Sequence, residues 1–328
     1  MTDSASLPAL PTVDDVRAAA EFIEPYLSPT PLVHSELLSE RLGCHYSVKC
    51  ESLQPTGAFK VRGGVNLVGQ LSAKEREDGL ISASTGNHGQ SIAYAGRLFN
   101  VPVVIYAPAE NADPDKLEAM RSLGADVRQH GRDFDDAREQ VERVAKEERL
   151  RYVHSANEPL LIAGVGTIGL EIIETAPDTA VIIVPVGGGS GAAGVCLAVK
   201  AYNPEIRVIG VQSKLAPAAW RAWKDRDLLV RAEMQTEHGG LATRVPFEMT
   251  QRMLWAQLDD FITVTDAEIR EAIPRLASDA KLMAEGAGAA SLAAAWSLRD
   301  QLAGKTVVGV LSGGNLSLKR SVEGFAES

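Results

Sequence analysis

The sequence alternates short apolar runs with longer segments in which apolar residues recur at helical spacing. The short runs predict strands at 46–50, 80–84, 101–106, 126–130, 180–186, 207–212 and 307–311. The periodic segments predict helices, among them 59–70, 115–123, 133–149 and 265–280. Strands that are apolar on both faces and alternate with helices are typical of parallel βαβ units. The pattern therefore predicts a doubly wound α/β protein whose ligand lies beyond the carboxyl ends of the strands.

The composition is that of a soluble globular protein with a sizeable core. Of the 328 residues, 45% are hydrophobic and 23% are charged, which excludes a disordered or fibrous chain. The formal net charge of −10 opposes non-specific binding to nucleic acids and anionic membranes, but it allows a local phosphate pocket. The three cysteines form neither a disulfide framework nor a CxxC pair; they are Cys44, Cys50 and Cys196. No secretory or membrane-spanning segment is visible in the sequence. We therefore expect a cytoplasmic protein.

A glycine-rich loop follows the predicted strand at 180–186 and opens a helix. In residues 184–194, VPVGGGSGAAG, successive backbone N–H groups can point toward an anion at a helix N-terminus. A phosphate fits such a loop, and a turn required only for tight packing is the alternative. Residues 189–194 also match the dinucleotide fingerprint, but the next strand ends at Gln212, where an acid should bind the ribose. A nicotinamide cofactor is therefore the weaker interpretation.

Three more loops carry polar residues beside predicted strands and helices. Lys60 falls in the first turn of a helix, where the helix dipole favours a nucleophilic amine, although such a lysine is more often a solvated surface charge. Residues 84–90, STGNHGQ, offer hydroxyl, amide and helix N–H groups to a carboxylate, or simply cap a helix. His88 alone is more often a structural hydrogen-bonding residue than a base. Residues 312–315, SGGN, form either a site loop or a tight turn.

Taken together and in this order, the four loops resemble those of the fold-type II pyridoxal-phosphate enzymes, in the branch of threonine and serine dehydratases and serine racemases. The resemblance runs from Thr30 to Asn315 and includes 51–60 (ESLQPTGAFK), 162–171 (IAGVGTIGLE) and 284–290 (AEGAGAA). It implies a tryptophan synthase β-like α/β fold with two doubly wound parallel-sheet domains and the cofactor in the cleft between them.

The resemblance also implies a division into domains. Residues 1–52 and 151–328 would form a large domain that binds pyridoxal phosphate. Residues 53–150 would form a smaller, inserted and mobile domain that binds the substrate. No C-terminal regulatory domain is expected.

Each polar loop acquires a role from the same resemblance. Lys60 would carry pyridoxal 5'-phosphate as a Schiff base and remove the substrate's α-proton, and Phe59 would lie beside the ring. Asn87 would bond the phenolic oxygen of the ring, and Ser312 would face the pyridine nitrogen. The cofactor phosphate would be held by Gly187, Gly188, Gly189, Ser190 and Gly191. The substrate carboxylate would be received by Ser84, Thr85, Gly86 and His88.

These roles imply β-elimination from a β-hydroxy amino acid such as L-threonine or L-serine, with release of a 2-oxo acid and ammonia. Thr85 stands where racemases of the family carry a serine that acts on the second face of the substrate, which makes it a second catalytic candidate. Racemisation, β-replacing synthesis and dehydration of phenylserine, hydroxyaspartate or a hydroxyectoine-derived amino acid stay open. A nicotinamide-dependent dehydrogenase and a non-catalytic amino-acid sensor are the alternatives outside this chemistry.

The resemblance further bears on metals and partners. The racemase-type divalent-metal site carries acids where this chain has Gln212 and Ala218, so no metal ion is expected there. Relatives in the family are usually dimers, so we expect a homodimer. A small amino acid is the expected substrate, and neither nucleic acid nor membrane is an expected partner.

Overall fold

The chain forms two β-sheets in the computed structural model, which describes residues 8–110 and 112–316. The strands are β1 (Leu32–His34), β2 (His45–Cys50), β3 (Leu80–Ala83), β4 (Val103–Ala107), β5 (Asp126–Gln129), β6 (Arg151–Tyr152), β7 (Val181–Pro185), β8 (Arg207–Ser213), β9 (Asp260–Val264) and β10 (Thr306–Leu311). The helices are α1 (Val13–Ile23), α2 (Glu36–Leu42), α3 (Lys60–Gly69), α4 (Ala73–Asp78), α5 (Asn87–Phe99), α6 (Pro114–Ser122), α7 (Phe134–Glu148), α8 (Pro159–Thr175), α9 (Ser190–Tyr202), α10 (Ala218–Asp225), α11 (Glu248–Gln257), α12 (Asp266–Arg275), α13 (Gly286–Ser297) and α14 (Arg299–Leu302). Three parts of the chain lie outside the described residues: 1–7 and 317–328, at the ends of the predicted large domain, and Asn111 in the predicted small domain.

One sheet has six strands in the order β1-β2-β10-β7-β8-β9, and the other has four in the order β5-β4-β3-β6. The neighbouring strands are parallel except for β1 and β2, and the predicted doubly wound α/β architecture is confirmed. Most of the four-stranded sheet comes from the segment 53–150. Strand β6 also belongs to this sheet, since it pairs with β3 just beyond the expected boundary. The domain limits themselves stay a prediction.

Strand β1 departs from the predicted parallel pattern. It pairs antiparallel with β2 at the edge of the six-stranded sheet, with Leu32 opposite Lys49. Parallel neighbours need a crossover of about a dozen residues or more. The segment 35–44 between the two strands is shorter than that and already contains α2. The chain therefore returns beside β1 in the opposite direction.

Helix α8 packs its backbone directly against two other helices. A Cβ at Gly164 would lie 2.6 Å from the carbonyl oxygen of Arg62 on α3, and a Cβ at Gly194 on α9 would lie 2.7 Å from the nitrogen of Gly166. Only glycine permits such close approach, so the glycines of α8 and α9 set the distances between these helices. Helix α8 thereby links α3 to α9. Among the described residues, no helix combines the length and apolarity needed to cross a bilayer.

A cluster of four charged side chains ties α3 to α8 and to the end of β2; three of them are buried and Glu171 is partly exposed. We call it the buried charge cluster. Arg62 donates from Nε to Glu51 Oε2 at 2.7 Å and from Nη2 to Glu171 Oε2 at 2.8 Å. Lys49 donates to Glu171 and, at 2.6 Å, to the carbonyl oxygen of Thr30. The Arg62 and Glu51 side chains are 1% and 0% exposed. Because water cannot reach these two groups, each charge depends on its partners in the cluster.

Replacing Glu51 with glutamine leaves the buried charge cluster with an excess positive charge. We expect Glu51→Gln to lower the free energy of unfolding by about 3–5 kcal/mol, because a buried charge without compensation is strongly destabilising. Denaturant unfolding followed by circular dichroism measures this loss. The matched control is Glu147→Gln on α7, which breaks an exposed pair with Arg143 and should cost less than about 1 kcal/mol. Equal losses in the two variants would contradict the structural role of the cluster.

Candidate active site

The predicted site loops meet in one cleft between the two sheets. The cleft encloses about 550 Å³ and opens at the carboxyl ends of β3, β4, β7 and β10. Parallel strands end at the same edge of their sheet, so loops that are distant in sequence converge there. The cleft is lined by all the predicted site residues: Phe59, Lys60, Ser84, Thr85, Gly86, Asn87, His88, Gly187, Gly188, Gly189, Ser190, Gly191 and Ser312. Their individual roles stay predictions.

Lys60 is the first residue of α3, and its side chain reaches into the cleft. Its Nζ donates to Ser190 Oγ at 2.7 Å and to the carbonyl oxygen of Ser155 at 3.0 Å. Neither partner is an anion, and burial lowers the pKa of Lys60 to about 8. An ordinary lysine has a pKa of about 10.4, so far more of the Lys60 amine is neutral at pH 7. A neutral amine can act as a nucleophile and as a base.

The start of α3 is tied to the end of β10. The backbone N–H of Phe59 donates to the carbonyl oxygen of Ser312 at 3.0 Å, and Ala58 forms an isolated β-bridge with Gly313. Ser312 is buried and also lines the cleft. These backbone bonds fix the positions of Lys60 and the Ser312 hydroxyl relative to each other.

The glycine loop connects β7 to α9, as the sequence predicts. Gly189, immediately before α9, has a φ of +89°, a conformation that residues with a Cβ rarely adopt. A Cβ at Gly187 would lie 2.2 Å from the carbonyl oxygen of Gly240, so this position also requires glycine. The first N–H groups of a helix lack intrahelical partners and form the positive end of its dipole. The loop therefore offers a phosphate site next to Lys60.

The loop after β3 leads into α5, which begins at Asn87. The Ser84 hydroxyl oxygen accepts from the backbone N–H groups of Gly86 and Gly89 at 3.0 and 2.8 Å, so it fixes the shape of the loop. Thr85 is exposed in the cleft, and its hydroxyl makes no hydrogen bond in the described part of the chain. This loop therefore offers a carboxylate the Thr85 hydroxyl and the N-terminus of α5.

His88 is held by the strand beneath this loop. Its Nε2 lies 2.8 Å from Ser82 Oγ, which donates its own proton to the carbonyl oxygen of Val153 at 2.7 Å. In this arrangement His88 is the donor and Ser82 the acceptor. Burial lowers the pKa of His88 well below its usual range, so the ring is neutral. His88 lines the cleft, and its bonding also fits the structural role that the sequence left open.

Glu285 is a site residue that the sequence pattern did not predict. Asn87 Nδ2 donates to Glu285 Oε1 at 2.6 Å, and Asn315 Nδ2 donates to Asn87 Oδ1 at 2.8 Å. Burial raises the pKa of Glu285, which favours the neutral acid. The second N–H of the Asn87 amide stays available to a ligand. The segment 284–290, which belongs to the family resemblance, includes this glutamate. Its sequence alone does not show that the Glu285 side chain contacts Asn87.

One group of side chains has the spacing of metal ligands. Its potential ligand atoms lie within 4.8 Å of one another and belong to Glu237, His238 and Asp266. The Asp266 carboxylate already accepts hydrogen bonds from the hydroxyls of Ser213 and Thr236. Protein donors therefore occupy both of its oxygens. The expectation that the racemase-type metal site is absent stays a prediction.

The groups that line the cleft fit pyridoxal phosphate. The Lys60 amine, with its lowered pKa, can bond to an aldehyde carbon. The glycine loop and the N-terminus of α9 are suited to a phosphate group. The Ser312 hydroxyl is suited to a ring nitrogen and adds no charge. All three groups line one cleft, as a single ligand of this kind requires.

Comparison with known proteins leads to the same group of enzymes. The family model described as "Pyridoxal-phosphate dependent enzyme" matches residues 23–313. An L-threonine ammonia-lyase of Thermotoga maritima is 40% identical over 94% of this chain and 76% of its own length. The catabolic L-threonine dehydratase TdcB of Staphylococcus aureus is 37% identical over 96% of this chain and 92% of its own length. The structure of maize serine racemase has a TM-score of 0.90 and 29% identity, covering 97% of this chain and 99% of that one. Because the family model spans most of the sequence, this protein belongs to the family of pyridoxal-phosphate dependent enzymes.

Proposed function

We propose that the protein dehydrates a β-hydroxy amino acid, such as L-threonine or L-serine, to a 2-oxo acid and ammonia. The observation that carries the proposal is Lys60, whose low-pKa amine lies in the cleft with the glycine loop and the loop after β3. The names of relatives support the same reaction. An L-threonine ammonia-lyase and an L-threonine dehydratase are 40% and 37% identical to this chain over nearly its whole length.

In the proposed reaction the side chains position the reactants and move one proton. When bound, pyridoxal phosphate withdraws electrons from the Cα–H bond of the amino acid and so acidifies the α-proton. The neutral amine of Lys60 accepts this proton at Nζ. Ser190 and the Ser155 carbonyl orient Nζ through their hydrogen bonds. Ser312 offers the ring nitrogen a neutral partner, and the glycine loop holds the phosphate.

The products follow from the loss of water and then of ammonia. L-Threonine loses its α-proton to Lys60 and its β-hydroxyl group as water. The released enamine tautomerises and is hydrolysed by water to 2-oxobutanoate and ammonia. The loop after β3 holds the carboxylate during these steps, so that the Cα–H bond stays within reach of Nζ.

Racemisation is a second candidate, favoured by Thr85. Racemisation needs a second group that can exchange a proton with the substrate, and the exposed Thr85 hydroxyl in the cleft can be such a group. The fold shared with maize serine racemase is consistent with this candidate. Dehydration is preferred because the relatives at 37–40% identity are named for it.

We further propose that residues 53–150 move as a unit and close over the substrate. The support is the position of the cleft between the two sheets, with Thr85 on one side of it and Ser190 on the other. A homodimer is proposed on the family resemblance, and a cytoplasmic location on the free cysteines, which suit a reducing compartment.

Lys60→Ala should lower 2-oxo acid formation by about 10³-fold or more, because the variant lacks the acid–base group. The protein with bound cofactor is incubated with L-threonine, L-serine and L-threo-phenylserine. A 2-oxo acid assay measures dehydration, and chiral chromatography measures D-amino acids in the same samples. The matched control is Lys74→Ala, which removes an exposed lysine on α4 and should keep the wild-type rate. Wild-type rates in Lys60→Ala would contradict the proposal, and D-amino acid without 2-oxo acid would favour the racemase.

The rate of covalent cofactor attachment should follow the pKa of Lys60. Burial lowers this pKa to about 8, so the neutral and reactive amine becomes the main form above that pH. Below it, the attachment rate should fall about tenfold for each pH unit, because the ammonium form cannot attack. The near-visible absorbance of apoprotein mixed with cofactor measures the rate. A midpoint near the ordinary lysine value of about 10.4 would contradict the prediction.

A further inference from the structure

Lys116 is a cleft cation to which the proposed function gives no role. It lies half-buried on α6 and lines the cleft. In the described part of the chain its Nζ makes no hydrogen bond and no ion pair. Glu110 and Asp113 line the same cleft without pairing with it, and the Asp113 side chain instead accepts from the backbone of Asp115 at 3.1 Å. A partly buried ammonium without a protein partner is stabilised by an anion from outside the chain.

The Lys116 side chain lies against the loop after β3. A Cβ built on Gly86 would lie 3.1 Å from Lys116 Cδ and 3.7 Å from its Nζ. Helix α5 begins at the next residue, Asn87, and its N-terminus carries a partial positive charge. Two different positive groups, an ammonium and a helix N-terminus, therefore meet at the same loop.

The nearby acid Glu285 does not neutralise this charge. The positive charge of Lys116 lowers the pKa of the Glu285 carboxyl, but burial has the larger effect and raises it. Glu285 therefore favours its neutral form, and its Oε1 already accepts from Asn87. The exposed Thr85 hydroxyl adds a neutral hydrogen-bonding group to the same loop.

We infer that Lys116 binds the carboxylate of the amino-acid substrate, together with the N-terminus of α5 and the Thr85 hydroxyl. This inference rests on the proposed function, which assigns the substrate carboxylate to the loop after β3. It makes Lys116 a specificity-determining residue that selects ligands with a free carboxylate. Gly86 has a part in this selection, because a side chain at that position would displace the Lys116 stem.

The test compares L-alanine with L-alaninamide, two ligands that lack a β leaving group and differ in the charge of the carboxyl end. Each is titrated into the protein with bound cofactor, and the change in near-visible absorbance gives the dissociation constant. Wild type should prefer L-alanine by about 10- to 100-fold, because hydrogen bonds to a charged group are strong. Lys116→Met should weaken L-alanine binding by about tenfold or more and leave L-alaninamide unchanged. Lys116→Arg should restore most of the preference, and Lys74→Met on the exposed face of α4 should leave it intact.

The outcomes separate this inference from the proposed function. A wild-type preference retained in Lys116→Met would overturn the inference, as would equal weakening of both ligands. A wild-type protein that binds neither ligand would overturn it as well. Formation of 2-oxo acid is a separate readout. A protein that forms none, yet loses its carboxylate preference in Lys116→Met, would contradict the proposed function and support this inference.

Discussion

The buried charge cluster fixes the helix on which the chemistry of the cleft depends. Arg62 lies two residues after Lys60 on α3, and its guanidinium bonds Glu51 at the end of β2 and Glu171 on α8. The cations and carboxylates balance one another, as charges that are mostly shielded from water require. The backbone bond from Phe59 to Ser312 adds a second restraint on the same turn. The reactive amine is therefore held in place by contacts of its sequence neighbours on either side, Phe59 before it and Arg62 after it.

The two lysines that line the cleft differ in their surroundings. The Lys60 amine donates hydrogen bonds to a hydroxyl and a carbonyl oxygen, neither of which is charged. Because no anion there stabilises the ammonium form, burial lowers the pKa of Lys60 to about 8. That environment suits a nucleophile and base. Lys116 has no protein partner among the described residues and lies at the loop that also contains the N-terminus of α5. That environment suits an ion pair with a ligand, so one cleft contains a reactive amine and a binding ammonium.

Much of the fold and many of the site loops could be predicted because their signals are local. Apolar runs indicated strands such as β7 and β10, and glycine before a helix start indicated the loop at 187–191. Which strands pair depends on how the chain crosses between them, and local sequence does not show this. The antiparallel pairing of β1 with β2 and the pairing of β6 with β3 were therefore not predicted. The sequence of the stretch 213–253 has no clear helical or strand period, yet this stretch contains α10, whose Trp220 Nε1 donates to the carbonyl oxygen of Phe261 at 2.8 Å. Glu285 was missed because its partner Asn87 lies 198 positions away in the sequence.

Borohydride reduction of the protein with bound cofactor tests most directly whether Lys60 holds pyridoxal phosphate. Reduction makes the bond between lysine and cofactor permanent, and proteolysis followed by mass spectrometry then identifies the modified residue. Lys60 and Lys116 both line the cleft, so both are within reach of a ligand there. The expected result is cofactor mass on the peptide that contains Lys60 and on no other peptide. Cofactor mass on Lys116 instead, or on no lysine at all, would contradict the assignment of Lys60.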